Sequence, residues 1–230
     1  MLRVEGIRLT RPGFSLTADL SMPAGSRTAV IGPSGGGKST LLSVIAGFET
    51  PDQGRIVIDG RDMTGVPPGK RPVAMLFQDG NLFPHLTATR NVALGLRPNG
   101  RLSAAEEDQV RVALDRVGLA SKGDSKPAEL SGGQQSRVAL ARVLVQRRAL
   151  LLLDEPFAAL GPALKAEMLD LVAELVTETG STLMMVSHDP EDARRISDQV
   201  ILVADGVAHP PMATPELLDN PPPALKAYLG

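Results

Sequence analysis

The feature that most restricts this chain is the stretch Gly32-Pro33-Ser34-Gly35-Gly36-Gly37-Lys38-Ser39-Thr40. From Gly32 to Ser39 it satisfies the spacing G-x-x-x-x-G-K-[ST]. Thr28-Ala29-Val30-Ile31 before it reads as a short apolar strand. Lys38 to Ala46 reads as a helix, with Leu41, Leu42, Val44 and Ile45 apolar and Gly47 as its stop. A turn of this composition lets backbone N–H groups point inward, and the helix start adds its positive dipole end. The loop therefore suits phosphate oxygens. Lys38 can reach β- and γ-phosphates, and the Ser39 hydroxyl suits Mg²⁺. Glycine-rich turns are common, but one carrying Lys-Ser between a strand and a helix is rarely idle.

Such a unit calls for a sheet around it, and the remaining sequence supplies one. Phe14–Leu20 alternates apolar and polar residues, as a half-buried strand does. Arg55–Gly60 reads as a strand and turn, and Val73–Phe77 as a strand ending at Gln78. Ser103-Ala104-Ala105-Glu106 is a capping box, followed by Val110, Ala113, Leu114 and Val117 at helical spacing. Strand Leu150–Leu153, a long helix from Pro162 to Gly180 and strand Thr182–Ser187 follow. That helix gathers Leu164, Met168, Leu171, Val172, Leu175 and Val176 on one face. Strands alternating with helices predict a parallel sheet with ligand sites at its carboxyl ends. The expected division is a β subdomain and nucleotide core over 1–84, a helical lobe over 85–147, core again over 148–207, and a tail over 208–230. The tail is Pro-rich, with a short helix around Pro215–Asp219.

Bulk properties remove several function classes. A net charge of −2 and a pI near 5.9 lack the basic footprint of a nucleic-acid binder. With no cysteine, disulfides, Cys-ligated zinc and iron–sulfur clusters are excluded. Charge and glycine interrupt Met1-Leu2-Arg3-Val4-Glu5-Gly6 too early for a signal peptide. No apolar run approaches the roughly 20 residues that a membrane helix needs. A role at a membrane would therefore require a docking partner.

Two further motifs carry chemistry. Leu150-Leu151-Leu152-Leu153-Asp154-Glu155-Pro156 ends an apolar strand in adjacent carboxylates. Asp154 suits Mg²⁺, and Glu155 suits orienting or deprotonating an attacking water. Alone, such a pair is more often a solvated turn; beside a phosphate loop the odds reverse. In Leu130-Ser131-Gly132-Gly133-Gln134, Ser131 and Gln134 form a capping box for the helix through Val138, Ala141 and Val145. A capped helix start with two glycines is also an anion site, and both readings can hold together.

The phosphate loop, Gln78, Leu-Ser-Gly-Gly-Gln, the Leu-rich strand into Asp154-Glu155-Pro156, and His188 occur in the order and spacing of ABC transporter ATPases. The chain resembles that family over essentially its whole length. The resemblance implies a RecA-like P-loop NTPase core of α/β class, with an antiparallel β subdomain and an inserted α-helical subdomain. It implies ATP and Mg²⁺, with two ATPs sandwiched in a head-to-tail homodimer. Gly32 to Thr40 would hold the phosphates. Ser131, Gly132, Gly133 and Gln134 would cap the γ-phosphate bound by the other protomer. Ser39, Gln78 and Asp154 would serve Mg²⁺. Glu155, supported by His188, with Gln78 and Lys38, would perform the chemistry. The stretches GPSGGGKSTLLSVIAGF, RPVAMLFQDGNLFPHLT and LVADG are similar to ATP-binding subunits of bacterial thiamine importers. That similarity implies transmembrane permease partners, an indirect link to a periplasmic solute-binding protein, and a peripheral place on the cytoplasmic face of the plasma membrane. Alternatives within the same superfamily are a soluble ABC ATPase and a weakly hydrolysing regulatory module.

The sequence departs from the family pattern twice. After Phe157-Ala158-Ala159-Leu160 the family usually has aspartate, and here Gly161 precedes Pro162. Glycine still suits a helix N-cap, so the fold should survive while a cross-dimer carboxylate is lost. The family also stacks adenine on an N-terminal aromatic, which Leu9-Thr10-Arg11-Pro12 lacks. Phe14 is the nearest ring, and its strand pattern predicts core packing; Arg11 is expected to be solvated.

Overall fold

Two periodicities partition this chain, period two in its strands and 3.6 in its helices, and both end on the same sheet. The computed structural model describes residues 1–99, 101–222 and 225–226. In chain order the elements are β1 (Leu2–Arg11), β2 (Phe14–Met22), β3 (Arg27–Ile31), α1 (Lys38–Ala46), β4 (Gln53–Ile58), β5 (Arg61–Asp62) and β6 (Val73–Leu76). Then come α2 (Ala88–Ala93), α3 (Ala104–Arg116), α4 (Gly132–Leu144), β7 (Leu150–Asp154), α5 (Pro162–Thr179) and β8 (Thr182–Val186). The last are α6 (Pro190–Ile196), β9 (Gln199–Ala204), β10 (Val207–Ala208), β11 (Met212–Ala213) and α7 (Thr214–Asp219).

The central strands β6, β7, β8, β3 and β9 run parallel. Strands β1, β2, β4 and β5 pair antiparallel. The short β10 pairs with β2 and with β9, joining the two groups in the order β5-β4-β1-β2-β10-β9-β3-β8-β7-β6. All five residues of β7 and of β8 are buried. Parallel strands covered on both faces are continuous apolar runs for this reason. Their side chains alternate between two cores. Leu150, Leu152, Met184 and Val186 pack with α1 and the antiparallel strands, while Leu151, Leu153, Leu183 and Met185 pack with α4, α5 and the helical lobe. The helical lobe thus shares its core with the sheet.

Local chemistry sets the helix ends. Ser103 and Glu106 exchange both bonds of the expected capping box at α3, and Ser131 and Gln134 do the same at α4. Gly161 is the N-cap of α5 with Pro162 next, and Gly180 closes it at φ 64°. Strands β6 and β8 stop one residue earlier than the sequence predicts, at Leu76 and Val186, where the chain turns toward functional residues. The β9–β10 hairpin was not read from sequence. Its Asp205-Gly206 turn has φ 50° and 72°, the two positive angles an Asp-Gly hairpin turn favours. Short helix α7 matches the tail reading; residues 223, 224 and 227–230 lie outside the described set.

One buried cation ties α1 to the strand that leads to Gln78. Arg71, 2% exposed, donates to the carbonyls of Val44 and Ile45 at the α1 C-terminus and to those of Thr64 and Val66. Helix-end carbonyls lack intrahelical partners, and a cation there also suits the dipole. Gly47 makes the approach possible: it sits at φ 90°, and a Cβ would fall 2.4 Å from Arg71 Nε. Gly47→Ala should lower unfolding free energy by about 2 kcal/mol, from backbone strain and lost Arg71 bonds. Urea unfolding with an unchanged m-value is the check.

Candidate active site

The phosphate loop forms where β3 ends and α1 begins, at the carboxyl edge of the parallel sheet. Gly32, at φ 144°, approaches β9 so closely that a Cβ would lie 2.0 Å from the Val203 carbonyl oxygen. Only glycine fits there. Lys38 is 8% exposed, and its Nζ donates to the carbonyls of Gly32 at 2.8 Å and Pro33 at 2.9 Å. These bonds curl the loop around the ammonium. Burial pushes the Lys38 pKa down, against the pull of Glu155 and Asp154. The first-turn amides of α1 have no intrahelical acceptor, and no side-chain cap takes them. They are available to an anion.

Ser39 Oγ donates to Asp154 Oδ1 at 3.1 Å, so α1 and the end of β7 meet at one polar contact. Asp154 is 7% exposed, and burial pushes its pKa up, with Ser39 and Lys38 opposing. A hydroxyl and a desolvated carboxylate side by side form a hard-oxygen donor pair, the kind magnesium prefers. The residues present therefore fit a divalent cation held beside a phosphate.

Glu155 follows in a left-handed conformation, φ 44°, while its N–H donates to Val186 O at 3.2 Å. A non-glycine residue in that region stores on the order of 1 kcal/mol or more, and such strain concentrates at functional sites. The turn separates two adjacent carboxylates: Asp154 stays with Ser39, and Glu155 borders the cleft. Phe14, Ser34, Gly35, Gly37, Lys38, Ser39, Thr40, Gln78 and Glu155 line that open cleft. His188 Nδ1 lies 3.5 Å from Glu155 Oε2, on the turn between β8 and α6.

Phe14 takes two roles where the sequence predicts one. Its ring packs against the core of the antiparallel strands and also touches the loop, since a Cβ on Gly37 would meet Phe14 Cζ at 3.1 Å. Alternation within β2 could not reveal that the strand start faces the loop. Arg11 is committed elsewhere: it pairs with Glu49 at 3.0 Å and with Asp52 at 3.8 Å, on the exposed rim.

Ser131, Gly132, Gly133 and Gln134 are not among the residues lining the cleft. Ser131 and Gly132 are exposed at the start of α4, and Gly133 approaches Leu160. The segment after Gln78 is pinned from the helical lobe. Arg142 donates to the carbonyls of Gly80 and Asn81. Asn91, fully buried, accepts from the Phe83 N–H and donates to the carbonyls of Phe83, Leu86 and Thr87. Leu82 packs on the helical core, whereas Phe83 is 47% exposed with His85 at its edge.

Comparison with known proteins fits this geometry. Residues 16–158 match the ABC transporter family model. The chain is 62% identical over 230 residues to the thiamine import ATP-binding protein ThiQ of Ruegeria sp., covering all of both chains. It is 58% identical, again with full coverage, to the protein of the same description from Cereibacter sphaeroides. Among solved structures it is similar to the ATP-binding cassette MJ0796 in a dimeric post-hydrolysis state bound to ADP and Pi. That match has a TM-score of 0.83 at 28% identity and covers 93% of this chain and 99% of that one. A second dimeric structure of MJ0796, described as a bacterial ABC transporter cassette, gives 0.84 at 29% identity with the same coverage.

Proposed function

The chain belongs to the ABC transporter family, and from that premise we propose that it is the ATP-binding and ATP-hydrolysing subunit of a thiamine importer. Full-length identity to proteins so described supports the cargo, because no residue of an ATPase subunit need touch it. The observation that carries the ATPase reading is the cleft itself, where a phosphate loop, Ser39 bonded to the buried Asp154, and a strained Glu155 converge.

Within the cleft, the loop amides and Lys38 bind the triphosphate. Lys38 exchanges its loop carbonyls for β- and γ-oxygens. Phe14 offers a ring face near the loop for the base, which a sequence reading of Leu9–Pro12 lacked. Ser39, Asp154 and Gln78 would hold Mg²⁺, which supplies neutralisation of charge on the β- and γ-phosphates. Glu155 orients the attacking water and accepts its proton, and His188 supports Glu155 from the β8 turn. Gln78, which lines the same cleft just after β6, would sense the γ-phosphate and report its presence to the pinned loop behind it.

The exposed start of α4 makes sense as half of a second site. Ser131, Gly132, Gly133 and Gln134 would meet the γ-phosphate held by another copy of the chain, in a head-to-tail homodimer. ATP then closes the dimer and hydrolysis releases it, an order-and-release cycle driven by one phosphoryl group. Among the described residues no helix is long and apolar enough to cross a membrane. Similarity to thiamine import ATP-binding proteins supports a peripheral place on the cytoplasmic face, against transmembrane permease subunits and indirectly with a periplasmic solute-binding protein. Exposed Phe83 follows Gln78 in the same segment, and exposed Phe48 stacks edge-on against Phe77, the residue before Gln78; together they form the candidate contact for the permease. The weakly acidic chain offers no basic footprint to nucleic acid.

Glu155→Gln should reduce hydrolysis roughly 10²–10⁴-fold with ATP affinity retained; steady-state turnover and nucleotide titration check this. Phe83→Ala should weaken permease association while sparing ATP binding, since Phe83 contributes little to the core. Co-purification from membranes reads that effect. Gly161 is exposed and a Cβ there meets nothing within 4 Å, so Gly161→Asp should fold normally. Restoring the family's carboxylate should raise ATP turnover or tighten its coupling to transport; an unchanged rate and coupling would show that Gly161 costs the cycle nothing.

A further inference from the structure

A second charged cluster lies behind Glu155, and the residues assigned above do not use it. Lys165 stands in the first turn of α5, 16% exposed in its side chain. A cation at a helix start opposes the dipole, and burying it adds a desolvation cost. Something else must hold it there. Its Nζ lies 2.7 Å from Asp189 Oδ2 and 2.7 Å from Asp192 Oδ1. Burial works against the Lys165 ammonium, and the two aspartates outweigh it, so the net shift of its pKa is upward. The second oxygen of Asp192 accepts from Ser187 Oγ at 2.5 Å, and Ser187 Oγ accepts from the Asp189 N–H at 3.1 Å.

These bonds bracket one residue. Ser187 precedes His188 and Asp189 follows it, so both neighbours of His188 are held by the same lysine-centred network. Lys165 also reaches the other side of the site. Its backbone N–H donates to Gly161 O at 2.9 Å, which fixes the end of the segment running from Glu155 to α5. A small cavity lies between the network and the catalytic pair, lined by Glu155, Pro156, Lys165, Ser187, His188 and Asp192.

We propose that Lys165, acting through Asp192 and Ser187, is a positioning residue that holds His188 against Glu155 for hydrolysis. The inference rests on the reading of Glu155 as the base. Lys165 does not line the cleft at the phosphate loop. It fixes the β8–α6 turn relative to the first turn of α5, and so sets the distance between the histidine and the carboxylate.

The test is a double-mutant cycle in turnover. Lys165→Met keeps most of the unbranched side chain and removes its charge; Lys165→Arg keeps the charge. In the otherwise unchanged protein, Lys165→Met should lower kcat about 10-fold or more, since small misplacements can cost up to ~10²-fold, with KM for ATP changed less than about twofold. Lys165→Arg should recover most of the rate. In a His188→Ala background, Lys165→Met should have no further effect, because its route of action is already gone. Equal losses in both backgrounds, or an unchanged kcat in Lys165→Met, would overturn the proposal. If Lys165→Met does not fold, Asp192→Asn takes its place in the cycle with the same criteria. A parent protein that does not hydrolyse ATP at all, or a Glu155→Gln variant that hydrolyses normally, would instead remove the underlying ATPase reading.

Discussion

The site depends on a carboxylate held at the end of a strand that is buried on both faces. Strand β7 has no freedom to shift: Leu150 and Leu152 fill one core, Leu151 and Leu153 the other. Asp154 therefore arrives at a fixed depth, and Ser39 meets it from α1. That contact joins the two motifs across more than a hundred residues of sequence. Desolvation keeps Asp154 poised to gain from a cation, and the strained turn that follows sends Glu155 to different surroundings. Two adjacent acids acquire two different surroundings from a single backbone angle.

The same principle extends outward. Each functional segment is placed by a buried polar anchor in an apolar setting. Arg71 fixes the far end of α1 and the approach to β6. Asn91 and Arg142 fix the segment after Gln78 from the helical lobe. Lys165 and Asp192 fix the turn carrying His188. Buried polar groups are costly unless satisfied, so each anchor specifies one geometry rather than adding much stability. The segments carrying Gln78 and His188 are thereby fixed to the packed helices, while Phe48 and Phe83 remain on the surface.

Much of this was legible in the sequence, and the reasons are specific. The phosphate loop announces its strand and helix because glycine spacing and Lys-Ser have few other uses. Both capping boxes, the Pro162 start and the Gly180 stop are local chemistry, and they stand where local chemistry puts them. What could not be read depends on distant contacts. Phe14 lies on the loop because β2 runs beneath Gly37, a fact of tertiary approach. Leu82 turns inward and Phe83 outward because Asn91 holds the backbone between them and α2. The positive φ of Glu155 has no residue-type signal at all. The Asp205-Gly206 hairpin did carry a signal, in a turn dipeptide followed by a short apolar strand.

The proposed function requires that one chain hold only half of each ATP site, with the exposed α4 start completing the site of a second copy. Sedimentation velocity of the Glu155→Gln protein tests it most directly. The expected result is a monomer without nucleotide and a dimer with ATP and Mg²⁺. A protein that binds ATP and remains monomeric at every concentration, in the absence of other subunits, would contradict it.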